Sequence, residues 1–101
     1  MEDASGMDKK LSEPEIQKSL ESVSGWGLSA GAISKLYKFE DFVEAMIFVN
    51  RVAELAEQAD HHPDMLIRYN KVTLTLVTHS AGGLTRKDFS LAREIDALLS
   101  S

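Results

Sequence analysis

The order of helical and alternating segments predicts an α+β fold, αββαββα, in which a four-stranded antiparallel sheet is covered by helices on one face. Three observations carry this expectation. Two pairs of short alternating segments are each closed by a turn, at Ser29-Ala30-Gly31 and at Asn70-Lys71. A long stretch of helical periodicity, from about Glu40 to Asp60, separates the pairs. A shorter amphipathic stretch flanks them at each end.

Ser12-Glu13-Pro14-Glu15 has the form of a capping box, with Pro14 tolerated in the first helical turn. Ile16, Leu20 and Val23 then recur at i, i+4 and i+7, and Gly25 is expected to end the helix. Trp26-Gly27-Leu28 and Ile33 to Phe39 are expected as the first strand pair. In the long helix Phe42, Ala45, Met46, Val49, Val52, Ala53 and Ala56 form one stripe. Phe48 and Leu55 widen one edge of it, and Ile47 lies well off it, so a second partner for this helix is expected. Pro63 stops the helix, which places His61 and His62 in or just past its last turn. Met65 to Tyr69 and Val72 to Thr78 form the second pair, with Val72, Leu74 and Leu76 facing one way and Thr73, Thr75, Val77 and His79 the other. Gly82-Gly83 breaks that strand. Thr85-Arg86-Lys87-Asp88 caps a last helix with the stripe Leu91, Ala92, Ile95, Leu98 and Leu99.

The chain has 101 residues, the size of a single domain, expected over residues 12–101 after a loose polar tail at 1–11. A net charge of −5 without any basic block argues against nucleic-acid phosphate as the main partner. With no cysteine there is no disulfide, no thiol nucleophile and no cysteine-based zinc site. Neither a signal-peptide run nor a stretch long enough for a membrane span is present. The expected compartment is the cytosol, with the nucleus open to so small a protein.

The stretch "ADHHPD" at 59–64 holds two of the three histidines; the third is His79. Three readings compete. Histidines at a helix C-terminus complement the macrodipole, so the pair could be a helix end. Three histidines could ligate a metal, but adjacent ones on a helix point about 100° apart, and the His-x-x-x-His spacing is absent. Imidazole can also donate or accept a proton near neutrality, and Glu57, four residues before His61, could orient that ring from the same helical face. The local residues do not choose between them.

A wider pattern does. Glu57, His61-His62-Pro63, Tyr69, His79 and Asp88 are spaced as in the signature of the pterin-4a-carbinolamine dehydratases. The resemblance runs from about Trp26 to Leu99 and includes "GWGLS" at 25–29, "KFEDFVEAMIFVNRVAELAE" at 38–57, "DHHP" at 60–63, "YNKVTLTLVTH" at 69–79 and "GLTRKDFSLA" at 83–92. It implies removal of water from a 4a-hydroxytetrahydropterin to give the quinonoid dihydropterin, which recycles the cofactor of aromatic amino acid hydroxylases. His61 and His79 would then be the main proton-transfer pair, with His62 binding and orienting the pterin and assisting. Pro63, Thr78, Ser80 and Ala81 would contact the substrate, the last two mainly through their backbone. Glu57, Asp88 and Trp26 would support the site, Asp88 by capping the last helix and holding the His79 loop. Trp26 could equally be core packing, and Tyr69 and Asn70 look structural. The resemblance implies neither metal nor cofactor. It also implies a homodimer or homotetramer, and the alternative role of a non-enzymatic cofactor that binds a transcription factor through the long helix.

Overall fold

The computed structural model describes residues 9–99, and its first helix begins where the capping box predicts. Ser12 accepts from Glu15 N–H while the Glu15 carboxylate accepts from Ser12 N–H at 2.8 Å. The bonds from Ser12, its backbone N–H foremost, hold the Glu15 carboxyl below its usual range. Helix α1 covers Glu13–Leu20, shorter than expected. Ser22 explains the early stop, because its hydroxyl donates to Ser19 O at 2.7 Å and competes for a carbonyl the helix would use. Val23 consequently packs into the core from a turn, not from the helix. Of the expected tail at 1–11, residues 1–8 lie outside the described residues; Leu11 is buried and its N–H donates to Leu84 O.

Strands β1 (Gly27–Ser29) and β2 (Ala32–Lys38) pair antiparallel through Gly27↔Ser34, Leu28↔Ile33 and Ser29↔Ala32. Ala30 and Gly31 between them both have positive φ, 52° and 80°, as a two-residue hairpin matched to strand twist requires. Helix α2 covers Phe42–Ala59, capped by the Asp41 side chain on Glu44 N–H at 2.9 Å. It ends at Asp60, which is left-handed at φ 52°, and His61 N–H reaches back to Ala56 O. Strands β3 (Asp64–Arg68) and β4 (Lys71–Leu76) follow, joined by a turn at Tyr69-Asn70. Asn70 ties that turn to the end of β2, donating to Phe39 O and accepting from Phe39 N–H. A single turn of 3₁₀ helix at His79–Ala81 precedes helix α3, Arg86–Ala97.

The sheet order is β1-β2-β4-β3, all antiparallel. Period-2 alternation sends Ile33, Tyr37, Val72, Leu74 and Leu76 into the core with Met65 and Ile67 packed beside them, and the helices cover this face. Across the other face Leu36 and Leu66 flank Thr73 in register, both more than half exposed. The expected αββαββα order and sheet are present.

The core face of α2 is turned from the stripe expected. Phe48, read from sequence as an edge residue, is 3% exposed and stacks on Tyr37 and Phe39 at ring distances of 4.7 and 4.9 Å. Phe42 is 47% exposed and flanks the buried row Ala45, Phe48, Val49, Val52 and Ala56. Val43 and Ile47 point away from the core, at 66% and 56% exposure. In α3, Leu91, Ala92 and Ile95 are buried as expected, joined by Phe89, while Leu99 lies beyond the helix and half exposed.

Asp96, near the end of α3, is where three side chains from the sheet side converge. Its Oδ1 accepts from Tyr37 OH at 2.6 Å and from Lys35 Nζ at 2.9 Å, and its Oδ2 accepts from Trp26 Nε1 at 3.1 Å. Burial first, and then the Asp96 carboxylate, push the Tyr37 phenol far above its ordinary value.

Candidate active site

The αL residue Asp60 turns the chain out of α2, so His61 is not a helical residue and does not share a helix face with Glu57. The expected Glu57–His61 pairing is therefore replaced. Glu57 Oε2 lies 2.6 Å from His62 Nε2, on the surface, and His61 points inward. Its Nε2 lies 2.6 Å from Asp88 Oδ1, with the His61 side chain only a tenth exposed and Asp88 not at all.

Asp88 is the hub of the cluster. It is the third residue of α3, and its Oδ2 accepts from Thr85 N–H at 2.9 Å, which completes the capping box. The same oxygen accepts from the Thr78 hydroxyl at 2.8 Å. Thr78 and Thr85, both buried, also meet through their hydroxyls at 2.8 Å. One carboxylate thus joins the end of α2, the segment after β4 and the start of α3. The expectation that Asp88 caps the last helix and holds the His79 loop matches these bonds, and its bond to His61 goes beyond it. A carboxylate only accepts, so His61 Nε2 carries the proton of that contact, and in the neutral form of the ring Nδ1 is the acceptor.

His79 does not end a strand, as the alternation suggested. Strand β4 stops at Leu76, and Thr78 and Gly83 exchange backbone hydrogen bonds across a closed loop. His79 opens the 3₁₀ turn within that loop and is exposed, and Gly82 at φ 78° closes the turn. Thr78, its neighbour, is bonded to the oxygen of Asp88 opposite the one that meets His61. His61 and His79 are therefore tied to one buried unit, and His62 is the next residue to His61. Pro63 is buried, Ala81 half-buried and Ser80 exposed. Beside His61 lies a recess of about 220 Å³, lined also by Ala59, Lys87, Ser90, Leu91 and Glu94.

Trp26 is not brought to this cluster. Its indole is bonded to Asp96, eight residues past Asp88 and about 12 Å along the helix, and it packs edge-on to Tyr37. Thr85, on the other hand, was not singled out as a site residue by sequence reasoning. The Thr85-x-x-Asp88 spacing marks a cap, but its contact with Thr78 is made only by the fold. Among the described residues no three His, Asp or Glu side chains converge as a ligand set for a metal.

The family model for pterin 4 alpha carbinolamine dehydratase matches residues 9–98. The chain belongs to that family. It is thereby assigned to the hydro-lyases, and the resemblance read from "DHHP" and the following "TH" is borne out. A relative from Acidobacterium capsulatum is 56% identical over 90 residues, covering 89% of this chain and 98% of its own length. One from Nostoc sp. is 50% identical over 92 residues, covering 91% and 99%. Both carry the name pterin-4-alpha-carbinolamine dehydratase as a provisional assignment. The crystal structure of a transcriptional coactivator/pterin dehydratase from Brucella melitensis superposes with a TM-score of 0.86 at 38% identity, covering 89% of this chain and 98% of that one. A pterin dehydratase-like RuBisCO assembly factor shares the fold at a TM-score of 0.61 and 22% identity, covering 75% and 88%. In this pterin-4a-carbinolamine dehydratase family member, no described helix is long and apolar enough to cross a membrane.

Proposed function

We propose that this chain dehydrates 4a-hydroxytetrahydropterins to the quinonoid dihydropterin by acid/base catalysis between histidines. The observation that carries the reading is the buried Asp88 carboxylate, whose two oxygens bind His61 and the residue before His79. The reaction breaks the C4a–O bond and removes a proton from a ring nitrogen, with no net oxidation. The leaving hydroxide takes a proton from an imidazolium and departs as water, while a neutral imidazole accepts the ring proton. His61, its Nε2 tied to Asp88, is suited to accept at Nδ1, and exposed His79 is suited to donate. His62, steadied by Glu57, binds and orients the pterin, and Pro63, Thr78, Ser80 and Ala81 complete the contacts. This chemistry calls for no cofactor. Its role is one step in recycling the tetrahydropterin used by aromatic amino acid hydroxylases, in the cytosol. A separate two-electron reduction of the quinonoid product completes that recycling.

The test follows carbinolamine decay spectroscopically with purified protein. Turnover well above the buffer rate is expected, and His61→Ala or His79→Ala should each lower kcat by about 10²–10⁴-fold. The double variant should lose less than the product of the two, because the groups act together. Decay at the buffer rate with wild-type protein would sink the reading, as would a folded, fully active double variant.

A second reading concerns α2. Val43 and Ile47, exposed on the side away from the core, offer an apolar contact for a second copy or for a protein partner. The Brucella protein is described as a transcriptional coactivator as well as a pterin dehydratase. A homodimer or homotetramer built on this face fits that observation; a chain that only binds a partner through it would show no turnover.

A further inference from the structure

The hydrogen-bond directions around Asp88 are fully determined, and they point to a role for Thr85. Lys87 N–H donates to Thr85 Oγ1 at 3.2 Å. Thr78 O–H donates to Asp88 Oδ2, so its one proton is committed, and the 2.8 Å contact between hydroxyls must be Thr85 O–H donating to Thr78 Oγ1. Oδ2 thus receives two donors, the Thr78 hydroxyl and Thr85 N–H, and Oδ1 is left for His61. All three side chains are buried, at 4% exposure for Thr78 and 0% for Thr85 and Asp88, and among the described residues no buried side-chain polar atom lacks a partner. Were either hydroxyl to turn, a buried lone pair or N–H would lose its partner, which burial makes costly.

We infer that Thr85 and Thr78 are positioning residues: a one-way hydroxyl relay that holds the Asp88 carboxylate and so fixes His61 as its Nε2–H tautomer. The relay runs from the first turn of α3 to the imidazole at the end of α2. Neither threonine touches the reacting atoms through this relay. Each acts through Asp88 and His61, so the inference deepens the acid/base reading above and rests on it for its effect on turnover.

Heteronuclear NMR of the imidazole nitrogens, with turnover measured on the same samples, tests the relay. Wild-type protein should show a protonated Nε2 and an unprotonated Nδ1 at His61. Thr78→Val and Thr85→Val should replace that signature with a mixture of tautomers. They should lower kcat by about 10–100-fold, the usual loss when a partner behind a ligating or reacting group is removed, with KM unchanged in Thr85→Val, whose residue makes none of the pterin contacts. Thr78→Ser and Thr85→Ser, which keep the hydroxyl, should restore both. A pure Nε2–H signature in folded Thr78→Val or Thr85→Val overturns the relay, and so does Thr85→Ser behaving like Thr85→Val. Should Thr78→Val fail to fold, Thr85→Val decides alone, since it keeps the Thr85 N–H bond to Asp88 while removing the donor that orients the Thr78 hydroxyl toward it. A wild type that lacks turnover but loses the tautomer signature in these variants would remove the acid/base reading and leave the positioning intact.

Discussion

Asp88 and Asp96 sit on one helix, and each carboxylate receives three donors, yet they serve different ends. At Asp88 the donors include a histidine, and replacing the acid by an amide sets a conflict. Asp88→Asn keeps the shape, but its NH₂ must face either His61 or the Thr78 hydroxyl and Thr85 N–H, which are donors themselves. We expect a loss of about 1–3 kcal/mol in chemical denaturation, the cost of a buried polar group without its partner, with turnover falling beyond the folded fraction. At Asp96 the informative neighbour is Tyr37, whose phenol is held protonated far above its ordinary value near 10. A raised value in the folded state means that Tyr37 supports folding fully below pH about 10, where the unfolded chain's phenol is also protonated. That support declines as pH rises beyond this point. The stability of wild type relative to Tyr37→Phe, followed by denaturation across pH 8–12 (a range of about four units), should therefore be constant at first and shrink above about pH 10. A difference that grows with pH contradicts the assignment.

Several secondary-structure elements carry local signals strong enough to be read before folding. The capping boxes at Ser12 and Thr85, the alternation of Val72, Leu74 and Leu76, and the long helical period all have causes within a few residues. Where the reading slipped, the cause was longer in range or lay in a single dihedral. The end of α2 is set by Asp60 adopting αL, which no spacing rule predicts, and this moved Glu57 from His61 to His62. The face of α2 is set by Phe48 finding two aromatic rings of the sheet, so Phe42 was placed too deep. His79 was read onto a strand because alternation cannot foresee that Thr78 turns its side chain to a helix cap seven residues away. Within the hairpin of β1 and β2, Ala30 holds a positive φ that suits Asn or Gly better than an alanine. Ala30→Asn should stabilise the protein by about 0.5–1 kcal/mol, a share of the strain of a left-handed L-residue, visible as a higher Tm. A lower Tm would mean that the turn is not of the primed type.

The chain as an assembly leaves its apolar helix surface to account for. From sequence, both Ile47 and Phe48 looked like contacts for a partner, but Phe48 belongs to the core and only Ile47 remains outside, joined by Val43. Val43→Glu with Ile47→Glu should therefore reduce the size measured by light scattering while leaving the unfolding transition cooperative, because charges would enter a contact that excludes water. A wild type that is monomeric in dilute solution would contradict an interface on this face. The three histidines were legible as candidates, and the family pattern was what pointed beyond a helix end. The carboxylate that binds His61 and the loop of His79 was recognised only as a cap, since its partners lie ten and twenty-seven residues away. The cluster at the far end of α3 has a different use. Trp26 is the sole tryptophan of the chain, and its indole is nearly enclosed against Asp96 and Tyr37. Its fluorescence is therefore a built-in optical gauge of whether the last helix is docked on the sheet. Because it is stationed about two turns from Asp88, a pterin-induced change in its emission colour would signal that occupancy is transmitted along the helix, whereas quenching without a colour shift would signal energy passed to the pterin itself.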